Sequence, residues 1–229
     1  TPFPSVGQVA RDMLPAGYEL IETDARAPEF LGAIKAADYF IGAPPVQLGE
    51  AFFKAAPGLK LVQLISAGYD RWDLDAARRA GVPIANNGGS NSVAVAEHAL
   101  MLMLATMRKL VTQHRNVVSG RWRGPDAASF VTYELEGRTL GIIGLGTIGK
   151  KVARRAKAFG MAVQYYDIVR LTEDQEDALG VRFKLRQEVL ATSDIVSLHV
   201  PLTPASRDMI GEAELALMKP SAILINTAR

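Results

Sequence analysis

The sequence predicts an α/β protein built from two doubly wound parallel-sheet domains. Short apolar runs alternate with segments of helical spacing along most of the chain, which is typical of βαβ units. A turn cluster at residues 86–90 interrupts this alternation, and a second series of the same kind begins at Arg138. We therefore expect two domains, covering residues 1–92 and 93–229.

The first series contains apolar runs of strand length between segments of helical spacing. The predicted strands are residues 19–23, 39–42, 61–64 and 83–85. The predicted helices are residues 6–14, 28–36, 49–55 and 74–80, and Gly81 is placed to end the last of them as a C-cap. Because an α/β domain usually begins with a strand, we expect further chain before residue 1.

A long helix over residues 92–118, with Asn91 or Ser92 as N-cap, is predicted to open the second domain. Its apolar stretch at 93–107 is broken by charge and is too short to span a bilayer. The helix carries three methionines that suit a core or a subunit interface, and such a face favours a symmetric homodimer. The predicted strands that follow are 139–143, 162–166, 195–199 and 222–226, after an irregular stretch at 120–136.

Composition excludes several classes of function. The 229 residues contain no cysteine, so disulfides, thiol nucleophiles and thiolate metal sites are absent, and a cytoplasmic location fits. The net charge of +2 is too small to favour a nucleic acid or a membrane as partner. The acidic cluster Glu173, Asp174, Glu176 and Asp177 lacks the spacing of a metal site and is interpreted as a solvated turn.

The strongest motif is glycine-rich. A strand-like run ends at Ile143, the segment Gly144-Leu145-Gly146-Thr147-Ile148-Gly149 follows at once, and helical spacing runs over 150–159. Strand, G-x-G-x-x-G and helix in this order form the dinucleotide-binding fingerprint. Gly144 would permit a tight turn, Gly146 would let the diphosphate approach the backbone, and Gly149 would allow close packing of helix on strand.

A second feature strengthens this interpretation. The next predicted strand ends at Asp167, at the distance where an acidic residue would bind the ribose hydroxyls of a dinucleotide. A carboxylate there also repels a 2′-phosphate, so NAD is favoured over NADP as cofactor. Arg170 lies nearby and weakens that preference.

Four stretches in the right order resemble the D-isomer-specific 2-hydroxyacid dehydrogenase family: residues 87–98, Gly120-Arg121-Trp122, residues 194–203 and residues 218–229. The resemblance implies a flavodoxin-like substrate domain and a Rossmann coenzyme domain, with the active site in the cleft between them. It also implies reversible hydride transfer between a nicotinamide and a small D-2-hydroxy or 2-oxo acid.

Residue roles follow from the same resemblance. Arg229 matches the catalytic arginine, and the loop at residues 66–70 matches the substrate-carboxylate loop, with Ala67 and Gly68 as donors. Val200, Pro201, Thr227, Ala228 and Arg229 match positions that lie against the cofactor. The family's catalytic histidine, its partner glutamate and a nicotinamide-binding aspartate all follow that arginine, so residues 1–229 contain none of the three. We expect little or no turnover from these residues alone.

The histidines within the chain are weaker candidates for a proton donor. His98 is predicted to pack in the long helix, and His114 to be solvated. His199 ends a strand beside the expected cofactor and is the one local candidate, although the resemblance gives it a cofactor-side role. Two other functions stay open at this point: an NAD-sensing binding module on the same fold, and an inactive fragment of the dehydrogenase.

Overall fold

The computed structural model describes residues 5–44, 46–122 and 130–228. The chain forms two compact units that divide between Gly88 and Gly89. The sequence places the domain boundary at residue 92, just inside the first helix of the second unit. Both units are α/β with parallel strands, so the predicted fold class is confirmed.

The first unit contains a parallel sheet of three strands in the order β1-β2-β3, which are Tyr39–Gly42, Leu61–Leu64 and Ile84–Ala85. Its helices are α1 (Val6–Met13), α2 (Phe30–Ala33) with a 3-10 turn at Ile34–Ala36, α3 (Glu50–Ala55) and α4 (Leu74–Ala80). An aromatic cluster forms its core, where Phe52 packs edge-on against Phe40 and Trp72 with ring centroids 5.3 Å apart in both pairs. Gly81 ends α4 in the left-handed conformation, as predicted.

One predicted strand of this unit is wrong. Residues 19–24 have no regular secondary structure. The backbone of a strand must pair with a neighbour, and no strand in the described part of this unit pairs with that segment. Its apolar run satisfies the pattern of a strand but not this requirement.

The predicted long helix of the second unit is two helices, α5 (Ser92–Met107) and α6 (Leu110–Val118). The break falls at Lys109, whose φ of 50° lies in the left-handed region. That conformation ends the helical hydrogen-bond series, and α6 starts anew with Lys109 as its N-cap. None of the helices in the described ranges has both the length and the apolar character needed to cross a bilayer.

The second unit is built on a five-stranded parallel sheet in the order β6-β5-β4-β7-β8. The strands are β4 (Thr139–Ile143), β5 (Ala162–Tyr166), β6 (Val181–Phe183), β7 (Ile195–Leu198) and β8 (Ile223–Asn226). Numbered within the unit, this is the order 3-2-1-4-5 of a Rossmann sheet. The first strand lies at the centre, and the connections run to opposite sides of it.

Helix α7 (Thr147–Ala158) follows β4 directly and packs with α5 on one face of the sheet, where Ala96, Met103, Val152 and Tyr165 lie in the core. Three further helices are α8 (Glu173–Leu179), α9 (Arg186–Thr192) and α10 (Glu212–Leu217). The interpretation of the acidic cluster as a solvated turn is wrong. It forms α8, and the side chain of Glu176 is buried.

Candidate functional site: a dinucleotide cradle

Four loops meet at one edge of the five-stranded sheet. The strands are parallel, so the loops after β4, β5, β7 and β8 all leave from the carboxyl edge. The chain connections reverse direction between β4 and β7, and ligands of open α/β sheets bind outside this switch point. The predicted cofactor residues in these loops therefore share one edge.

The glycine loop leaves β4 in a conformation that requires glycine. Gly144 has a φ of 95°, and a Cβ atom there would lie 2.7 Å from the carbonyl oxygen of His199. A Cβ atom on Gly149 would overlap the carbonyl oxygen of Gly144. Both contacts involve backbone, which cannot move aside as a flexible side chain would. These two glycines therefore let α7 and the end of β7 pack closely around the turn.

Gly146 differs from them because its Cβ direction is open, with no atom within 4 Å. It is the N-cap of α7 and provides no side-chain acceptor for the free N–H groups of the first turn. Thr147 is exposed beside it, and the Ile148 side chain packs against the core. An open approach to unused N–H groups at the positive end of a twelve-residue helix fits a diphosphate.

Asp167 lies one residue beyond β5. Its Oδ2 accepts a hydrogen bond from the N–H of Leu145 at 2.6 Å, and its Oδ1 accepts one from the N–H of Val169 at 3.0 Å. The first bond joins the carboxylate to the glycine loop, and the second folds the following residues into a tight turn. An acceptor-only group fixed beside the loop suits the hydroxyls of a ribose.

His199 connects the ends of β7 and β8. Its Nε2 lies 2.9 Å from the Ser197 hydroxyl, and its Nδ1 lies 3.3 Å from the Thr227 hydroxyl. Burial disfavours the charged ring and lowers the pKa of His199 from 6.5 to about 4. At neutral pH the ring is neutral and engaged through both nitrogens, so it positions Thr227 rather than carrying a mobile proton.

The other predicted cofactor positions lie on the same edge. Val200 is half-buried against Gly144, and Pro201 is exposed. Thr227 and Ala228 follow β8, where the N–H of Ala228 donates to Oδ1 of Asn226 at 2.9 Å. The predicted catalytic Arg229 lies outside the described residues.

The predicted carboxylate loop lies in the first unit, directly after β2. Ala67 and Gly68 are half-buried there. The loop is held by its own contacts, because the Ala67 carbonyl accepts from Nδ2 of Asn86 at 2.7 Å and the Ser66 hydroxyl donates to the Gly68 carbonyl at 2.8 Å. Both bonds use carbonyl groups, so they leave the N–H groups of the two residues available as donors.

Two predictions about other side chains have clear outcomes. His98 is exposed on α5, so its prediction as a packed residue is wrong, whereas His114 is exposed as expected. Sequence reasoning also missed the hydrogen bonds around buried Glu176, which lies behind the Asp167 turn. No group of three potential metal-ligating side chains occurs among the described residues.

The low pKa of His199 predicts how stability changes with pH. As pH falls below 6.5 the unfolded chain gains a proton at this ring, whereas the folded protein gains it only near pH 4. His199 therefore contributes its full stability above pH 6.5 and loses it progressively as pH falls towards 4. NMR titration should give a midpoint near 4 for this ring, and urea unfolding of His199→Gln should lose less stability on acidification than the wild type. A midpoint near 6.5 would contradict this expectation.

Comparisons with known proteins agree with the geometry. Residues 100–229, more than half of the chain, match the family model described as D-isomer specific 2-hydroxyacid dehydrogenase, NAD binding domain. Glyoxylate reductase of Korarchaeum cryptofilum is 41% identical over 86% of this chain and 59% of its own length. Glyoxylate reductase of Thermococcus litoralis is 37% identical over 95% of this chain and 68% of its own length.

Among solved structures, D-lactate dehydrogenase of Aquifex aeolicus in complex with NAD and lactic acid aligns with a TM-score of 0.81 at 33% identity, covering 90% of this chain and 61% of that one. The chain thus spans about three fifths of the length of several proteins that it matches. The glycine loop, the sheet order and these similarities lead to one conclusion. The chain belongs to the D-isomer-specific 2-hydroxyacid dehydrogenase family.

Proposed function

We propose that the protein is an NAD-dependent oxidoreductase that transfers a hydride between the nicotinamide and a small D-2-hydroxy or 2-oxo acid. The observation that carries this proposal is the cradle at the carboxyl edge of the second sheet. There the open Gly146 backbone and the fixed Asp167 carboxylate fit the diphosphate and a ribose of one dinucleotide.

The two units would divide the work. The second unit, from Gly89 onward, would bind NAD through Gly144, Gly146, Thr147, Ile148 and Gly149, with Asp167, Val200, Pro201, Thr227, Ala228 and Arg229 around them. The first unit would bind the substrate carboxylate through the N–H groups of Ala67 and Gly68. Consecutive N–H groups in a turn suit an anion of that size.

Each group has a distinct chemical task. NAD supplies the hydride acceptor or donor when bound. The guanidinium of Arg229 would bind the carboxylate and polarise the reacting carbonyl, where negative charge develops. His199 would hold Thr227 in place, because both of its ring nitrogens are hydrogen-bonded and its pKa is low. The proton would come from a group beyond Arg229, as the family resemblance implies.

The first substrate to test is glyoxylate. Several similar proteins carry the name glyoxylate reductase, and a two-carbon 2-oxo acid presents the carboxylate and carbonyl that this set of residues would recognise. Pyruvate and hydroxypyruvate would extend the series by one carbon. A location in the cytoplasm stays a prediction of the sequence.

Substitution of Gly146 tests the cradle. Gly146→Val places a branched side chain in the open approach to α7, so the dissociation constant for NAD should rise by more than about tenfold. No neighbour lies within 4 Å, so the free energy of unfolding should change by only about 0.5 kcal/mol. Calorimetry and thermal unfolding measure the two quantities. The matched control is Gly58→Val, which also meets open space but lies in the first unit. Unchanged NAD binding in folded Gly146→Val would place the dinucleotide elsewhere.

Substitution of Arg229 tests the reaction. An ammonium cannot reproduce the two parallel hydrogen bonds of a guanidinium. In the full-length protein, Arg229→Lys should therefore lower kcat for glyoxylate by about a hundredfold or more and leave NAD binding nearly unchanged. Oxidation of NADH measures turnover, and Arg154→Lys on an exposed position of α7 is the control. If the wild type binds NAD but turns over no 2-oxo acid, the NAD-sensing alternative replaces the enzyme.

We propose in addition that two copies of the chain form a homodimer through α5. A groove of about 570 Å³ lies between α5, the start of α6 and the end of α7, and Leu100, Met101, Leu104 and Phe159 line it. Met101 is exposed there, whereas Met103 and Met107 are buried in the core. Both signs of charge occur beside the groove, where Arg155 pairs with Glu97 at 3.1 Å. A surface with both charges and an apolar centre can pair with a copy of itself.

The homodimer makes its own prediction. Met101→Glu puts a charge into the apolar groove, so the dissociation constant of the dimer should rise by about tenfold or more. Sedimentation velocity over a range of concentrations measures it. Leu217→Glu adds the same charge at an exposed position of α10, outside the groove, and should leave the dimer intact. Monomeric wild type at every concentration would refute the homodimer.

A further inference from the structure

Among the described residues around the cradle, Arg170 conflicts with a preference for NAD. It lies three residues beyond Asp167, after a turn fixed by the bond from the N–H of Val169 to Asp167. In dinucleotide-binding domains, an arginine near this acidic position can accommodate the 2′-phosphate of NADP. A free guanidinium here would therefore favour the cofactor that Asp167 disfavours.

The structure shows that this guanidinium is held by another residue. The Nε of Arg170 donates to Oε1 of Glu176 at 3.1 Å, and its Cζ lies over the ring of Phe183, 5.1 Å from the ring centroid. The Glu176 carboxylate is buried under α8, whereas the Arg170 side chain is 57% exposed. The guanidinium of Arg170 thus covers the buried Glu176 carboxylate, and its Nε is hydrogen-bonded to that carboxylate.

Glu176 is itself fixed from three directions. Besides Arg170, the Tyr165 hydroxyl donates to its Oε1 at 3.1 Å, and the N–H of Phe183 donates to its Oε2 at 3.3 Å. Burial alone would raise the pKa of Glu176, but these hydrogen bonds outweigh burial, and the pKa lies below its ordinary value. The carboxylate is therefore charged at neutral pH, and a buried charge of this kind needs its cation.

We propose that Glu176 is a specificity-determining residue that excludes NADP by holding Arg170. While the ion pair exists, the charge of the guanidinium is compensated by Glu176 and its side chain is directed towards Phe183. The ribose would then contact Asp167 without a cation beside it. Release of Arg170 would make a cation available to the 2′-phosphate on a mobile side chain. Glu176 acts through Arg170 and needs no contact with the dinucleotide, and this role rests on the proposed NAD site.

The test is a pair of affinities measured on four proteins. Calorimetry gives the dissociation constants for NAD and NADP of the wild type, Glu176→Gln, Arg170→Gln and the double variant, each checked for folding by thermal unfolding. Glu176→Gln keeps the shape and the acceptor oxygen but removes the charge that holds Arg170. It should tighten NADP binding by about tenfold and leave NAD binding nearly unchanged. The double variant should lose this gain, because the cation that produces it is gone.

The matched control is Asp177→Asn. Asp177 is the next residue of α8 and pairs with Arg182 at 2.7 Å on the surface, so its removal changes the local charge equally without releasing Arg170. It should leave the ratio of the two affinities unchanged. A similar gain in NADP affinity in Asp177→Asn would show that the loss of any negative charge on α8 is sufficient, and would overturn the role of Glu176. A gain that persists in the double variant, or no gain in folded Glu176→Gln, would overturn it as well.

A second variant covers the case in which Glu176→Gln does not fold. Phe183→Leu removes the aromatic face over which the guanidinium lies, so the ion pair between Arg170 and Glu176 should be formed for a smaller fraction of the time. The affinities should therefore shift towards NADP in the same direction, by two- to threefold. No shift in that variant would contradict the proposal. Failure of the wild type to bind either dinucleotide would overturn the NAD site together with this role. NAD binding without the predicted shifts would overturn the role of Glu176 alone.

Discussion

The close approach of backbone to backbone at the end of β4 is the constraint on which the second unit depends. A Cβ atom on Gly149 would meet the Gly144 carbonyl, and one on Gly144 would meet the His199 carbonyl. Because the chain has no side chain at either position, α7 begins immediately after the strand and its N-terminus lies at the switch point of the sheet. The positive end of the helix and the free N–H groups then lie at the carboxyl edge of the five-stranded sheet.

Hydrogen bonds from neighbouring loops hold this arrangement in register. The Asp167 carboxylate accepts from the N–H of Leu145, so the end of β5 is joined to the glycine loop. On the other side, His199 joins the end of β7 to Thr227 after β8. A neutral imidazole suits that position, since partial burial disfavours the charged ring. The loops are thereby fixed before any ligand arrives, which lowers the entropy cost of binding.

The sequence predicted the parts of the structure that local rules determine. The strands β1, β2, β4 and β5 begin and end at the predicted residues, and Gly81 ends α4 as expected. The sequence could not predict the break at Lys109, because the pattern on both sides of it is helical and a lysine gives no signal of the left-handed conformation. Residues 19–23 have the pattern of a strand, but whether a partner strand lies alongside is decided by tertiary structure.

Helix α8 was missed although the sequence contains its signals. Thr172 and Gln175 form a capping box, and Gly180 ends the helix in the left-handed conformation. An acidic run after such a box is stabilised by the helix dipole, so its charges favour the helix rather than a turn. Only the fold shows that one of these carboxylates, Glu176, faces inward to Tyr165 and Arg170. A charge pattern identifies which residues can form ion pairs. Whether a given carboxylate faces solvent or a buried partner depends on which strand its helix covers. For Glu176, that orientation determines whether Arg170 is held in an ion pair or is free to bind a phosphate.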